Sequence, residues 1–136
     1  MGRDMRVYYA IVEQEGESAF GLSFPDLPSV FSAADEEEDI VTNAIEALRL
    51  WAEDEALPEP SAIAQIRERA DIRAALANGG FLVRVPLIAD DSRVVRVNLT
   101  FEAGMLDAID AEARRRGLTR TAFLASAARK EIEATA

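Results

Sequence analysis

Arg96, Asn98 and Thr100 alternate along one stretch of this 136-residue chain, so in an extended backbone they share a face. A guanidinium in that position suits a guanine edge or a phosphate, a carboxamide suits adenine, and a threonine hydroxyl tolerates either kind of base. Val97, Leu99 and Phe101 occupy the opposite face. Further on, Thr119, Arg120 and Thr121 stand where a helix is expected to begin, and the unbonded amides at a helix start suit a phosphate. Asp26 and Asp35 are the other residues that could do chemistry. Metal-dependent phosphodiester cleavage needs several carboxylates converging on one or two Mg²⁺ ions. The strands expected at residues 5–12, 19–24 and 81–85 carry no aspartate or glutamate to complete such a site. Asp26 reads better as a turn residue.

Composition narrows the chemistry further. The chain has no cysteine and no histidine, which removes disulfides, thiolate or imidazole metal sites, and histidine-dependent triads. No catalytic residue, metal or cofactor is therefore expected. No apolar run approaches the roughly 20 residues that span a bilayer, and no basic-then-apolar leader is visible, so the expectation is a cytoplasmic protein without a membrane partner. The net charge of −10 is unevenly distributed. Residues 1–90 hold 18 acidic and 7 basic residues, whereas residues 91–136 hold 7 and 8. Only the second part can approach nucleic-acid phosphates without strong repulsion; the first attracts something basic.

The elements that must position these residues follow from periodicity. Val7, Tyr9 and Ile11 alternate with Arg6, Tyr8 and Ala10, which predicts a half-buried strand. Gln14-Glu15-Gly16-Glu17 predicts a hairpin turn, and Phe20, Leu22 and Phe24 mark the next strand. Pro25-Asp26-Leu27-Pro28 is expected to leave the ladder, because proline lacks the donor. A short third strand is expected at residues 30–33. Asp35 followed by Glu38 predicts a capping box, and the acidic run 35–39 suits the positive end of a helix dipole. Ile40, Val41, Ala44, Ile45, Leu48, Trp51 and Ala52 recur at helical spacing, ending before Pro58 and Pro60. Residues 61–78 predict two short helices broken near Asp71 and stopped by Asn78-Gly79-Gly80, and a fourth strand should run over residues 81–85 and end at Pro86. After a polar linker, residues 93–101 predict one strand. A helix follows with Met105, Leu106, Ile109 and Ala113 as its apolar stripe and Gly117 beyond its end. A second helix is capped by Thr119 and buries Phe123, Leu124, Ala127, Ala128 and Ile132. Arg114, Arg115 and Arg116 read as a solvated, dipole-favourable helix end.

The fold class is thus α+β. A small sheet of three to four strands packed by a helix occupies residues 1–88, and a β-α-α unit occupies residues 93–134. Arg96-Val97-Asn98-Leu99-Thr100-Phe101 with Gly117-Leu118-Thr119-Arg120-Thr121-Ala122-Phe123-Leu124 resembles the ribbon-helix-helix family. One strand and two short helices cannot make a core alone, whereas two copies can pair strands into a ribbon whose polar face enters a major groove. The expected DNA-contacting set is Arg96, Asn98, Thr100, Thr119, Arg120 and Thr121, acting in a homodimer or tetramer on operator DNA.

Phe24-Pro25-Asp26-Leu27-Pro28, Asp35, the helix through Asn43-Ala44-Ile45-Glu46-Ala47-Leu48, and Pro58-Glu59-Pro60-Ser61 resemble the HicB antitoxin family. That family usually has glycine where this chain has Ser29 and Ala34. The resemblance implies a partial ribonuclease-H-like domain that inactivates a small basic RNA-cleaving toxin, HicA. Phe24, Asp26, Asp35 and Glu36 are the expected partner-facing residues. Two other readings fit the residues: a ribbon-helix-helix repressor whose first domain senses a small ligand or binds an unrelated protein, and an enzyme built on the acidic loops.

Overall fold

Tyr8, Ala10 and Val12 are buried on one face of strand β1 (Arg6–Glu13), and Ile11 is buried on the other. β1 lies inside the antiparallel sheet, which runs β3-β2-β1-β4, with β2 at Phe20–Phe24, β3 at Leu27–Ala34 and β4 at Phe81–Leu87. The computed structural model describes residues 5–89 and 91–134. The described residues divide into two compact units, 5–89 and 91–134.

In the first unit, helix α1 (Ile40–Asp54) lays Ile40, Ala44, Ile45 and Leu48 across the sheet face formed by Tyr8, Ala10, Val12, Leu22 and Phe24. Two short helices, α2 (Ile63–Arg67) and α3 (Ala70–Ala77), cover part of the opposite face, where Ile66, Ile72 and Ala75 enclose Ile11. The sheet packed by a helix that periodicity implies is the architecture of this unit. At the α3–β4 junction the chain has no room for a side chain. A Cβ on Gly80 would lie 2.8 Å from the Ala75 carbonyl and 3.0 Å from that of Val12.

Three local expectations are corrected. Leu27 and Pro28 do not leave the ladder; they open β3, which reaches back to pair Leu27 with Phe24 across a turn made by Pro25 and Asp26. Likewise β4 continues through Pro86, which pairs with Val7. Both strands are at sheet edges, where a missing amide leaves no neighbour unsatisfied. The capping box at Asp35 does not form either. Residues Glu37–Asp39 make a tight 3₁₀ turn, α1 starts only at Ile40, and neither Glu36 nor Asp39 caps it with its side chain. The acidic run still lies next to the positive end of the helix. α1 is instead tied to the sheet by Asn43, whose side-chain amide donates to the Ala33 carbonyl at 2.9 Å.

The second unit contains α4 (Ala103–Arg115) and α5 (Arg120–Ala134). Gly117, at φ 71°, ends α4 as the sequence predicts. Leu118 N–H then reaches back to the Ala113 carbonyl at 2.8 Å. The predicted strand at residues 93–101 is not formed: the segment has no secondary structure, and residues 92–102 are exposed. A strand needs a ladder partner, and the single chain offers none in this unit. The expected burial within α5 is corrected for the same reason. Phe123, Leu124 and Ile132 are half-buried, and Ala127 and Ala128 are exposed. Ile109 and Ala113 are the buried apolar side chains among the described residues here.

Candidate functional site

Thr119 has already turned out of α4 when its hydroxyl accepts the Ala122 N–H at 3.1 Å, capping α5. Thr119, Arg120 and Thr121 are thereby gathered at the exposed start of α5, in a shallow depression also lined by Asp110, Arg114 and Leu118. Arg120 is not idle there. Its Nε and Nη2 donate to the two Asp110 carboxylate oxygens at 2.9 and 2.8 Å. This fork holds the Asp110 carboxyl below its ordinary pKa and raises that of Arg120. A phosphate reaching this place competes with Asp110 for the guanidinium. Asp110 carries no signal in the sequence, since a ten-residue spacing across a turn matches no helical period.

The neighbouring arginines behave as a solvated helix end. Arg115 and Arg116 both donate to Glu112, with Arg116 at 2.7 Å, and together they pull the Glu112 carboxyl down to about 2. Arg116 also lies over the Phe123 ring, 5.4 Å from its centroid. Arg96, Asn98 and Thr100 are exposed. The fold of one chain does not join them to the α5 start, because the segment that carries them has no ladder partner.

In the first unit the Phe-Pro-Asp-Leu-Pro turn is braced from outside. Asp26 accepts the Ser61 amide at 2.8 Å and the Ser61 hydroxyl at 2.7 Å. Arg69 donates to the Pro25 carbonyl at 2.9 Å. The Pro58 segment is pinned in turn, its carbonyl accepting the Tyr8 hydroxyl at 2.5 Å while Arg6 donates to the Leu57 carbonyl at 3.1 Å. Phe24, expected to face a partner, is 1% exposed and belongs to the core. That expectation is corrected: a phenyl group next to proline at a tight turn is the largest apolar group available to anchor it. Asp35 and Glu36 are exposed. Among the described residues no three His, Cys, Asp or Glu side chains converge as a metal site, and no helix is long and apolar enough to cross a membrane.

The bracing yields a direct expectation. Asp26→Ala leaves the Ser61 amide and hydroxyl without acceptors and should destabilise the first unit by about 1–3 kcal/mol. Urea denaturation of the full chain measures it, and a change within experimental scatter would show that the Asp26–Ser61 pair contributes nothing to the fold.

Comparison with known proteins adds to this geometry. A family model described as the HicB_like antitoxin of bacterial toxin-antitoxin system matches residues 8–128. The chain is similar to the crystal structure of the Burkholderia pseudomallei antitoxin HicB, at 23% identity over 93% of this chain and 96% of that one, with a TM-score of 0.50. It is also similar to the antitoxin HicB3, at 33% identity over 93% and 97% of the two chains, with a TM-score of 0.49. No curated protein matches it.

Proposed function

Because this chain belongs to the HicB-like antitoxin family of bacterial toxin-antitoxin systems, we propose that it neutralises a HicA-like RNA-cleaving toxin and represses its own operon by binding operator DNA as a dimer. Toxin binding is assigned to residues 1–88, and dimerisation and DNA binding to a ribbon-helix-helix module at residues 93–134. The protein acts in the cytoplasm by binding and not by catalysis.

The observation that carries the division of labour is the apolar strip of the second unit. Val97 and Leu99 are 66% and 63% exposed, and Phe101 and Met105 are exposed with them. Fully burying one such side chain contributes about 1.5–3 kcal/mol. A single chain forgoes that for every member of the strip, whereas two copies pairing residues 93–101 bury it twice. Pairing places Arg96, Asn98 and Thr100 together on the opposite face, duplicated by symmetry. The charge division supports the same reading: residues 91–136 carry one more basic than acidic residue, while residues 1–90 are strongly acidic.

The test is co-expression of the full chain with the small basic protein encoded beside it. Co-purification, with growth restored to cells expressing that protein, is the expected result. Growth arrest that the full chain does not relieve, with no complex recovered, would refute the toxin-neutralising arm.

A further inference from the structure

Helix α1 and the turn that leads into it concentrate the negative charge of this protein. Residues 29–55 contain nine acidic side chains and one basic, Arg49. The same segment holds an open groove of about 380 Å³ where the outer part of α1 overhangs edge strand β3. Phe31 of β3 and Leu50 of α1 line it, and each is 68% exposed. Trp51 lines it as well, with its Nε1–H buried and lacking an acceptor. Asp54 and Glu55 form the rim. They stand at the C-terminal end of α1, whose last turn has no basic residue, so the negative end of the helix dipole adds to their charge.

We propose that this β3–α1 groove is the docking site of the toxin, and that it receives a basic segment which inserts an apolar side chain between Phe31, Leu50 and Trp51 and sets lysine or arginine against Asp54 and Glu55. The proposal rests on the antitoxin reading and specifies its surface. An exposed aromatic and leucine pair is a poor match for a nucleic-acid or phosphate ligand when two carboxylates rim it and seven more lie in the same segment. An apolar anchor with flanking cations satisfies both features, because the anchor supplies affinity and the charges supply steering and register. This surface replaces Phe24, which is buried, and differs from the Asp26 turn, whose carboxylate is occupied by Ser61.

The chain has a single tryptophan, so Trp51 reports on the groove without a label. The experiment titrates the purified operon-encoded toxin into the full chain and follows Trp51 emission, with affinity measured in parallel by calorimetry. A change in emission on binding is expected. Leu50→Glu and Phe31→Glu should each weaken toxin binding about 30-fold or more. Glu55→Lys should weaken it most at low ionic strength. The thermal midpoint of each variant should stay near that of the unaltered chain, since both apolar residues are already exposed. Toxin binding at unchanged affinity by Leu50→Glu and Phe31→Glu would overturn the groove while leaving the antitoxin reading standing. Trp51 emission that shifts with the protein's own concentration, without toxin, would make the groove an interface between copies and overturn it too. No toxin binding by the unaltered chain would overturn the antitoxin reading itself.

Discussion

Leu99→Asp is expected to convert the proposed dimer to a monomer and to abolish the proposed operator binding in the same step. Leu99 is exposed in the single chain, so an aspartate there meets no obstacle until two chains associate. In the proposed ribbon the side chain would lie against the apolar stripe that begins at Met105 and continues through Ile109 and Ala113. Burying an unpaired carboxylate costs several kcal/mol, and the symmetry of the dimer imposes it twice. Removal of the leucine itself forfeits about 1.5–3 kcal/mol more per copy. Sedimentation equilibrium of the full chain at micromolar concentration should show the mass halved. Circular dichroism should show weakened helicity, because α4 and α5 bury little in one chain. An unchanged mass would mean that the strip does not hold the dimer together.

Arg96→Ala with Asn98→Ala should leave the dimer intact and remove operator recognition. Deleting a side chain that reads one base costs about 1–3 kcal/mol. The double substitution deletes two such side chains in each copy of the proposed symmetric dimer, so a loss of roughly a thousandfold is the lower bound. Selectivity should fall with affinity, because non-specific binding depends on phosphate interactions that these substitutions leave in place. Growth rescue from the toxin should persist, since it is assigned to the first unit. A gel-shift titration on the upstream promoter region, run at fixed salt beside the rescue assay, measures both. Operator affinity and selectivity equal to those of the unaltered chain would remove the ribbon face from the DNA interface. Arg120→Ala should behave differently. Its guanidinium is shared with Asp110, so its loss should weaken binding to all sequences alike and by a smaller factor.

What the amino-acid order determines here is mostly what neighbours within one turn or one strand decide. The apolar period of α1, the Thr119 cap, the Gly117 stop and the alternation in β2 are each settled by residues within about four positions. Each appears in the structure where the sequence places it. The Asp35–Glu38 capping box shows the limit of that reasoning. The pattern is present, but the chain leaving β3 first makes a 3₁₀ turn, and the helix begins too late for the cap.

Other features needed the tertiary structure, because their partners are far apart in the chain. Asp26 meets Ser61 across 35 positions, Arg69 meets Pro25 across 44, and Arg120 meets Asp110 across a helix junction. No periodicity encodes these pairs; they exist because the sheet and helices bring the loops together. The burial of Phe24 and the exposure of Phe31 and Leu50 are decisions of the same kind. All three are large and apolar, and only the position of α1 over the sheet decides which one is covered. In residues 93–101 the alternation was legible from the sequence, yet one chain leaves it unpaired, since a strand is defined by the backbone beside it.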